Sequence, residues 1–331
     1  MTNTVILQKL IENHIDTPKL EARMIKEHAD KHNLSQEQIN QIINERIQGA
    51  PLDKILGTKA FYKHDFCVNN DVLSPRPDTE VLVEAAINII KNSPISPLLF
   101  SGEARIARPL AGSNSGEVHQ TSNQQPYTIL DLGTGSGCIL LSILKDCPNT
   151  NGVGVDISLK ALKIAKQNAA NLNLQTRTQF IKADWFSENF SSCVKEEQEL
   201  SKTCFGKSSE ELKQKNKQTK FDIIVSNPPY IPSQDILTLE PEVKNHDPIL
   251  ALDGGKDGLN SYRKLAEITP NLLKTNGCIL LEVGIGQAAD VNTIFQAQGF
   301  ITLKILPDLS GIPRCLLFMY NKQQNATTID I

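Results

Sequence analysis

Apolar residues in the first fifty positions recur at helical spacing: Val5, Ile6, Leu10 and Ile11, then Ile39, Ile42, Ile43 and Ile47. Thr17-Pro18 and Ser35-Gln36-Glu37 between them have the composition of helix starts, with Thr17 or Ser35 as caps. Three short amphipathic helices cannot each stand alone in water, so residues 1–50 predict a small bundle that ends at Gly49-Ala50-Pro51. Over 51–75 the pattern changes. Phe61, Tyr62, Phe66, Val68, Val72 and Leu73 surround Asn69-Asn70-Asp71 and predict a β-hairpin linker turning there. Two proline breaks then precede a helix marked by Val81, Leu82, Ala85, Ala86 and Ile89.

From residue 127 onward short apolar runs alternate with helical ones. Strands are predicted at 129–131, 153–156, 180–184, 221–226 and 278–283, and helices at 138–146, 159–171, 259–273 and 291–297. Runs at 300–306 and 315–320 close the series with no helix between them. Such alternation predicts an α/β domain over 76–320, with a mostly parallel seven-stranded sheet covered on both faces and an antiparallel last strand. Residues 92–126 and 191–220 are polar, lack an apolar period and read as surface insertions, and 321–331 reads as a polar tail.

Composition narrows the function without choosing it. A hydrophobic fraction of 40%, a charged fraction of 21% and a net charge of −3 suit a globular chain and disfavour a large nucleic-acid footprint. The seven cysteines are scattered and form no C-x-x-C pair, which argues against a disulfide framework and a thiolate metal site. No signal peptide or membrane span is read, so a reducing, cytoplasmic compartment and no membrane partner are expected.

Four features carry chemistry. Gly133-Thr134-Gly135-Ser136-Gly137 follows the first strand of the α/β region and opens a helix, where glycines admit a ligand and unpaired N–H groups receive it. A dinucleotide fingerprint would place a third glycine at 138, where this chain has Cys138. Asp156 ends the next strand, at the position of a ribose-binding carboxylate. It suits NAD and S-adenosylmethionine equally, and a helix-capping role is compatible with both. Trp185, the one tryptophan, either packs on an adenine ring or belongs to the core.

Asn227-Pro228-Pro229-Tyr230 ends the fourth strand of the α/β region, where such sheets bind ligands. Two prolines stiffen the turn. The Asn227 oxygen and the Pro228 carbonyl can accept from one substrate NH2 group, which draws a delocalised lone pair toward an incoming methyl. Tyr230 offers a face for a flat group, and no metal is expected. This motif points to methylation of a planar amide or amino nitrogen.

The chain resembles the release factor glutamine N5-methyltransferases, the HemK/PrmC family, on several runs. They are residues 72–80 with Pro75-Arg76-Pro77-Asp78-Thr79-Glu80, the Asp131–Gly137 loop, residues 221–231, Leu252 to Leu259 and Glu282 to Gln287. The resemblance implies a class I methyltransferase with a Rossmann-like sheet, using S-adenosylmethionine on the glutamine of the Gly-Gly-Gln loop of peptide chain release factors. It implies that Gly133 to Gly137, Asp156, Trp185 and Asn227 contact the methyl donor. Asn227 and Pro228 would be catalytic, Asn227 to Tyr230 would hold the glutamine amide, and the helical domain would dock the release factor. Ser74 departs from the family pattern, in which a large aliphatic residue is usual, and looser packing is expected there. The competing readings are a nucleic-acid adenine N6-methyltransferase, which lacks support from any basic recognition region, an idle adaptor, and an NAD dehydrogenase.

Overall fold

The computed structural model describes residues 1–92, 126–194 and 220–321. The expected insertions and tail lie, apart from their end residues, outside the described residues. Helices α1 (Asn3–Glu12), α2 (Pro18–His32) and α3 (Gln36–Ile47) form the N-terminal bundle. Ser35 caps α3 in a reciprocal box with Gln38, and Thr2 caps α1. Thr17 makes no capping bond; α2 starts on Pro18, whose fixed φ suits a first helical turn. Ile6, Leu10, Ala22, Ile25, Ile39 and Ile43 fill the bundle's core.

The bundle does not end at Pro51, as its composition suggested. Pro51 starts a short fourth helix, α4 (Leu52–Leu56), whose Leu52 and Leu56 lie one turn apart and join the same core. The hairpin is also displaced from its expected turn. Strands β1 (Thr58–Phe61) and β2 (His64–Cys67) pair with Phe61 opposite His64, so the turn is Tyr62-Lys63, with Tyr62 at φ +55°. Asn69 instead accepts from the Asp71 N–H through its side chain, a local turn outside the ladder.

Strands β3 (Tyr127–Leu132), β4 (Thr150–Asp156), β5 (Thr178–Lys182), β6 (Phe221–Ser226), β7 (Leu273–Glu282), β8 (Phe300–Pro307) and β9 (Pro313–Tyr320) form one sheet in the order β5-β4-β3-β6-β7-β9-β8. The pairs from β5 to β7 are parallel, and β9 runs antiparallel to both its neighbours. Alternation along the strands splits the core between two faces. Ile129, Ile223, Val225 and Leu280 pack with α5 (Glu80–Asn92) and α6 (Cys138–Asp146). Leu130, Ile224, Ile279 and Leu281 face the other side.

Helix α7 (Leu159–Asn171) packs beside β4 and β5. Two short helices not expected from the pattern, α8 (Pro241–His246) and α9 (Ile249–Leu252), follow β6. Helix α10 (Asn260–Ile268) stops before its expected end because Pro270 supplies no N–H, and a tight turn over Thr269–Asn271 leads into β7. Helix α11 (Ala288–Ala297) precedes β8.

The chain winds outward from β3 through β4 to β5, then returns to β6 on the other side of β3. The carboxyl ends of β3 and β6 therefore flank the switch point at which open α/β sheets leave a crevice. The helical bundle is tied to the segment after β6. Arg46 of α3 grips Glu21 of α2 with two nitrogens and donates a third bond, 2.7 Å, to Glu242 of α8. Lys54 of α4 pairs with Asp247 at 3.1 Å, with both side chains almost fully buried. Ser74, the departure from the family pattern, is buried beside this pair and its N–H donates to Asp247.

Candidate active site

The loop after β3 is shaped by three left-handed glycines, Gly133, Gly135 and Gly137, at φ +76°, +53° and +80°. The N–H groups of Gly133 and Thr134 both donate to the Val155 carbonyl, which holds the loop against β4. Space is a second constraint at Gly133: a Cβ there would lie 3.0 Å from the Trp185 ring, a tight contact that the ring would have to relieve. Gly135 faces open space and donates its N–H to Asp156 Oδ2 at 2.9 Å.

Asp156 also accepts from the Ser158 N–H at 2.8 Å, and Ser158, not Asp156, caps α7. Burial raises the Asp156 carboxyl above its ordinary value, while N–H groups of Ser158, Gly135 and Ile157 oppose the shift. Asp131, in β3, is fully buried and is pushed up to about 7 chiefly by desolvation. Its Oδ2 accepts from the Thr134 hydroxyl at 2.6 Å, and its Oδ1 has no partner among the described residues.

A cleft of about 460 Å³ opens between these elements. Gly133, Gly135, Asp156, Trp185, Asn227 and Pro229 all line it, so most of the predicted site converges. Thr134, Ser136 and Gly137 do not. Thr134 is spent on Asp131, the buried Ser136 offers its carbonyl to Asn168, and Gly137 packs toward Leu141 and Ala165. These three residues build the loop that the other two expose. Trp185 borders the core and also walls the cleft. Val72 and Leu73 from the linker and Pro248 to Ala251 around α9 complete the rim.

Strand β6 delivers Asn227 to the cleft. Ser226 donates to the Leu132 carbonyl at 2.6 Å and ties the ends of β6 and β3 together. The Asn227 Nδ2 donates to Thr79 Oγ1 at 3.3 Å, and Thr79 in turn donates to Glu282 Oε2 at 2.5 Å. Pro228 is buried, and Tyr230 packs against the core beside Gly284, so neither lines the cleft. Burial pushes the Tyr230 hydroxyl up to about 12.

The loop following α9 clamps the stretch after Asn227 from behind. Ile231 donates to the Leu252 carbonyl and Gly254 to the Ile231 carbonyl, while Gln287 Nε2 donates to the Tyr230 carbonyl at 2.9 Å. A Cβ on Gly258, at φ +75°, would lie 2.3 Å from that same carbonyl. The glycines of the 252–259 run thus permit a close backbone approach to the Asn-Pro-Pro-Tyr turn. Thr79, Glu282 and Gln287 had no assigned role from sequence. The available signal was a carboxylate ending the apolar run Ile279-Leu280-Leu281, a residue type that is rarely buried unpartnered.

Comparison with known proteins agrees with this architecture. A family model described as a methyltransferase domain matches residues 123–283. A release factor glutamine methyltransferase of Agrobacterium fabrum is 37% identical over 84% of this chain and 77% of that protein. One from Caulobacter vibrioides is 35% identical over 96% of this chain and 95% of its own length. A bifunctional methyltransferase of Rickettsia conorii is 34% identical over 94% of this chain, which spans 55% of that longer protein. Identity at this level over nearly the whole of both chains, on a seven-stranded methyltransferase sheet, places the chain in the release factor glutamine methyltransferase family.

Proposed function

We propose that this enzyme binds S-adenosylmethionine in the cleft and methylates the side-chain amide nitrogen of the glutamine in a release factor's Gly-Gly-Gln loop. The observation that carries the reading is the amide of Asn227, whose nitrogen is engaged by Thr79 at the cleft wall. Its oxygen is left to accept from a substrate NH2 group; the carbonyl of Pro228, the next acceptor along the chain although outside the lining of the free cleft, is proposed as the second.

The donor set fits an adenosyl methyl donor. Asp156 is a cleft carboxylate held from behind by two N–H groups, with lone pairs left for the two hydroxyls of a ribose. Gly133 and Gly135 bring backbone to the ligand's edge. Trp185, Ile157 and Ala183 form an apolar wall against which a flat base can lie. When bound, the sulfonium would supply an electrophilic methyl group and leave as a neutral thioether, and the amide nitrogen would release one of its two protons to solvent. The protein's own task is to orient a poor nucleophile: two fixed acceptors hold the amide NH2 with its lone pair aimed into the cleft. The bundle and the 241–253 segment, joined through Arg46 and Lys54, are proposed to receive the release factor.

Incubation with labelled S-adenosylmethionine and either a bacterial release factor or duplex DNA and RNA tests the assignment. Label is expected in the release factor alone. Label in nucleic acid would transfer the same chemistry to an adenine amino group and overturn the proposed substrate. Asp156→Ala is expected to weaken S-adenosylmethionine binding by about 10²-fold, the scale of losing charge-assisted bonds to two hydroxyls. Calorimetry of the apo protein reads this directly, and unchanged affinity would remove Asp156 from the site.

A further inference from the structure

We propose that Thr79 and Glu282 are positioning residues, which turn the Asn227 amide so that its oxygen, not its nitrogen, faces the substrate. The inference rests on the amide-methylation reading above and adds two residues to that machinery.

The protons along this chain of groups can be counted. A threonine hydroxyl has one hydrogen to give. At 2.5 Å from Glu282 Oε2, Thr79 donates that hydrogen to the carboxylate. Its oxygen can then only accept from Asn227, and the group it accepts from is Nδ2, 3.3 Å away. The chain of bonds has one direction, from amide NH2 to hydroxyl to carboxylate, and it leaves Oδ1 as the free end. An asparagine is nearly symmetric in shape, so packing alone does not choose between its two orientations. A negative charge at the end of a hydrogen-bonded chain does.

A structural role alone accounts poorly for Glu282. The residue is 2% exposed at the end of the interior strand β7, where an apolar side chain would cost less. The groups that face its carboxyl come from several elements. Asp78, before α5, opposes its charge and Arg314 of β9 favours it, while Thr79 and Asn227 bond to it. Tyr230, Tyr262, Cys138 and Cys315 are the other titratable groups that sense it. Arg314 is itself paired with Asp78 and Asp308, so no cation is dedicated to Glu282 among the described residues. Thr79 sits 203 residues away in sequence, immediately before α5, which is why the bond also anchors the Pro-Arg-Pro-Asp-Thr-Glu run to the sheet.

Protonation would reverse the chain. A neutral Glu282 donates its own O–H to Thr79, whose hydrogen is then free for the Asn227 oxygen, and the amide turns its NH2 toward the substrate's NH2. Burial pushes the Glu282 carboxyl up to about 7. Activity is therefore expected to rise with pH through that value.

The test combines turnover with a readout that needs no substrate. With release factor, Thr79→Val is expected to lower kcat by about 10–10²-fold while the affinity for S-adenosylmethionine stays unchanged. Thr79→Ser restores most of the loss. Glu282→Gln, which keeps an acceptor but not the charge, is expected to remove the acidic limb of the kcat profile. In nitrogen-labelled apo protein, the Asn227 side-chain NH2 signals should titrate near pH 7; Glu282→Gln should abolish that titration and Thr79→Val should shrink it. If the NH2 titration is missing in the wild type, survives Glu282→Gln, or is unchanged in Thr79→Val, the orientation proposal is overturned. Absence of label in the release factor, with the titration intact, would instead sink the substrate reading alone.

Discussion

Asn227→Ala is expected to lower kcat on the release factor by about 10²–10³-fold, the loss seen when one fixed polar group that stabilises a transition state is removed. The magnitude follows from what the side chain supplies. Pro228 still presents a carbonyl, so one of two acceptors survives and the substrate NH2 keeps a partner. What is lost is the second acceptor, and with it the geometry that holds a delocalised lone pair toward the methyl group. Thr79 loses its amide donor but keeps the bond to Glu282, so the sheet end stays intact. Single-turnover rates at saturating S-adenosylmethionine measure the effect on the chemical step. A loss smaller than about tenfold would mean that Asn227 is not the orienting acceptor.

Asp247→Ala is expected to cost about 3–5 kcal/mol of stability, because it strands a buried ammonium. Lys54 Nζ and Asp247 Oδ1 are 3.1 Å apart, and each side chain is 3% exposed. Burial lowers the Lys54 pKa, and Asp247 is the largest influence acting against that shift. The carbonyls of Asn69 and Val72 also accept from Lys54 but carry no charge to replace the carboxylate. Arg76, 2.9 Å from Asp247, is 44% exposed and can turn to solvent. Denaturant unfolding reads the change in midpoint. Adding Lys54→Met to the variant should recover much of it, since the stranded charge is then gone. A cost below about 1 kcal/mol would place this pair with ordinary surface bridges. The cleft should loosen as well, because Pro248 to Ala251 on its rim follow directly from Asp247.

Glu282 sets a trade between stability and activity, and Asp131 adds to the same pH dependence of stability. Both have carboxyl groups pushed up to about 7 by burial, from ordinary values of 4.5 and 3.8. A raised pKa means that the folded state binds the proton more tightly than the unfolded chain does. Their contribution to stability is therefore full below the ordinary carboxylate range and is lost as pH rises toward 7. The ionised Glu282 that orients Asn227 is, on this account, the less stable form of the fold.

What was legible in the sequence was mostly local or periodic. Alternating apolar runs placed every strand of the large sheet, because strands buried on both faces leave uninterrupted Val, Ile and Leu segments such as Ile223-Ile224-Val225. The glycine loop and the Asn-Pro-Pro-Tyr turn were readable because their chemistry is compressed into a few residues. The hairpin turn was misplaced because Asn69-Asn70-Asp71 has the better turn composition, while the register is set by Phe61 and Phe66, which pack together at 6.0 Å. Helix α4 escaped notice because five residues are too few to show a period. Thr79, Glu282 and Asp247 were illegible for one reason: each acts through a partner more than a hundred residues distant, and no spacing along the chain records such a contact.

The most direct measurement is fragment mass spectrometry of the release-factor peptide containing Gly-Gly-Gln, after reaction with S-adenosylmethionine and this enzyme. One added methyl group is expected, localised to the glutamine side chain and accumulating far more slowly when Asn227→Ala replaces the wild type. An unmodified glutamine, or a methyl group on any other residue of that peptide, would contradict the proposed function.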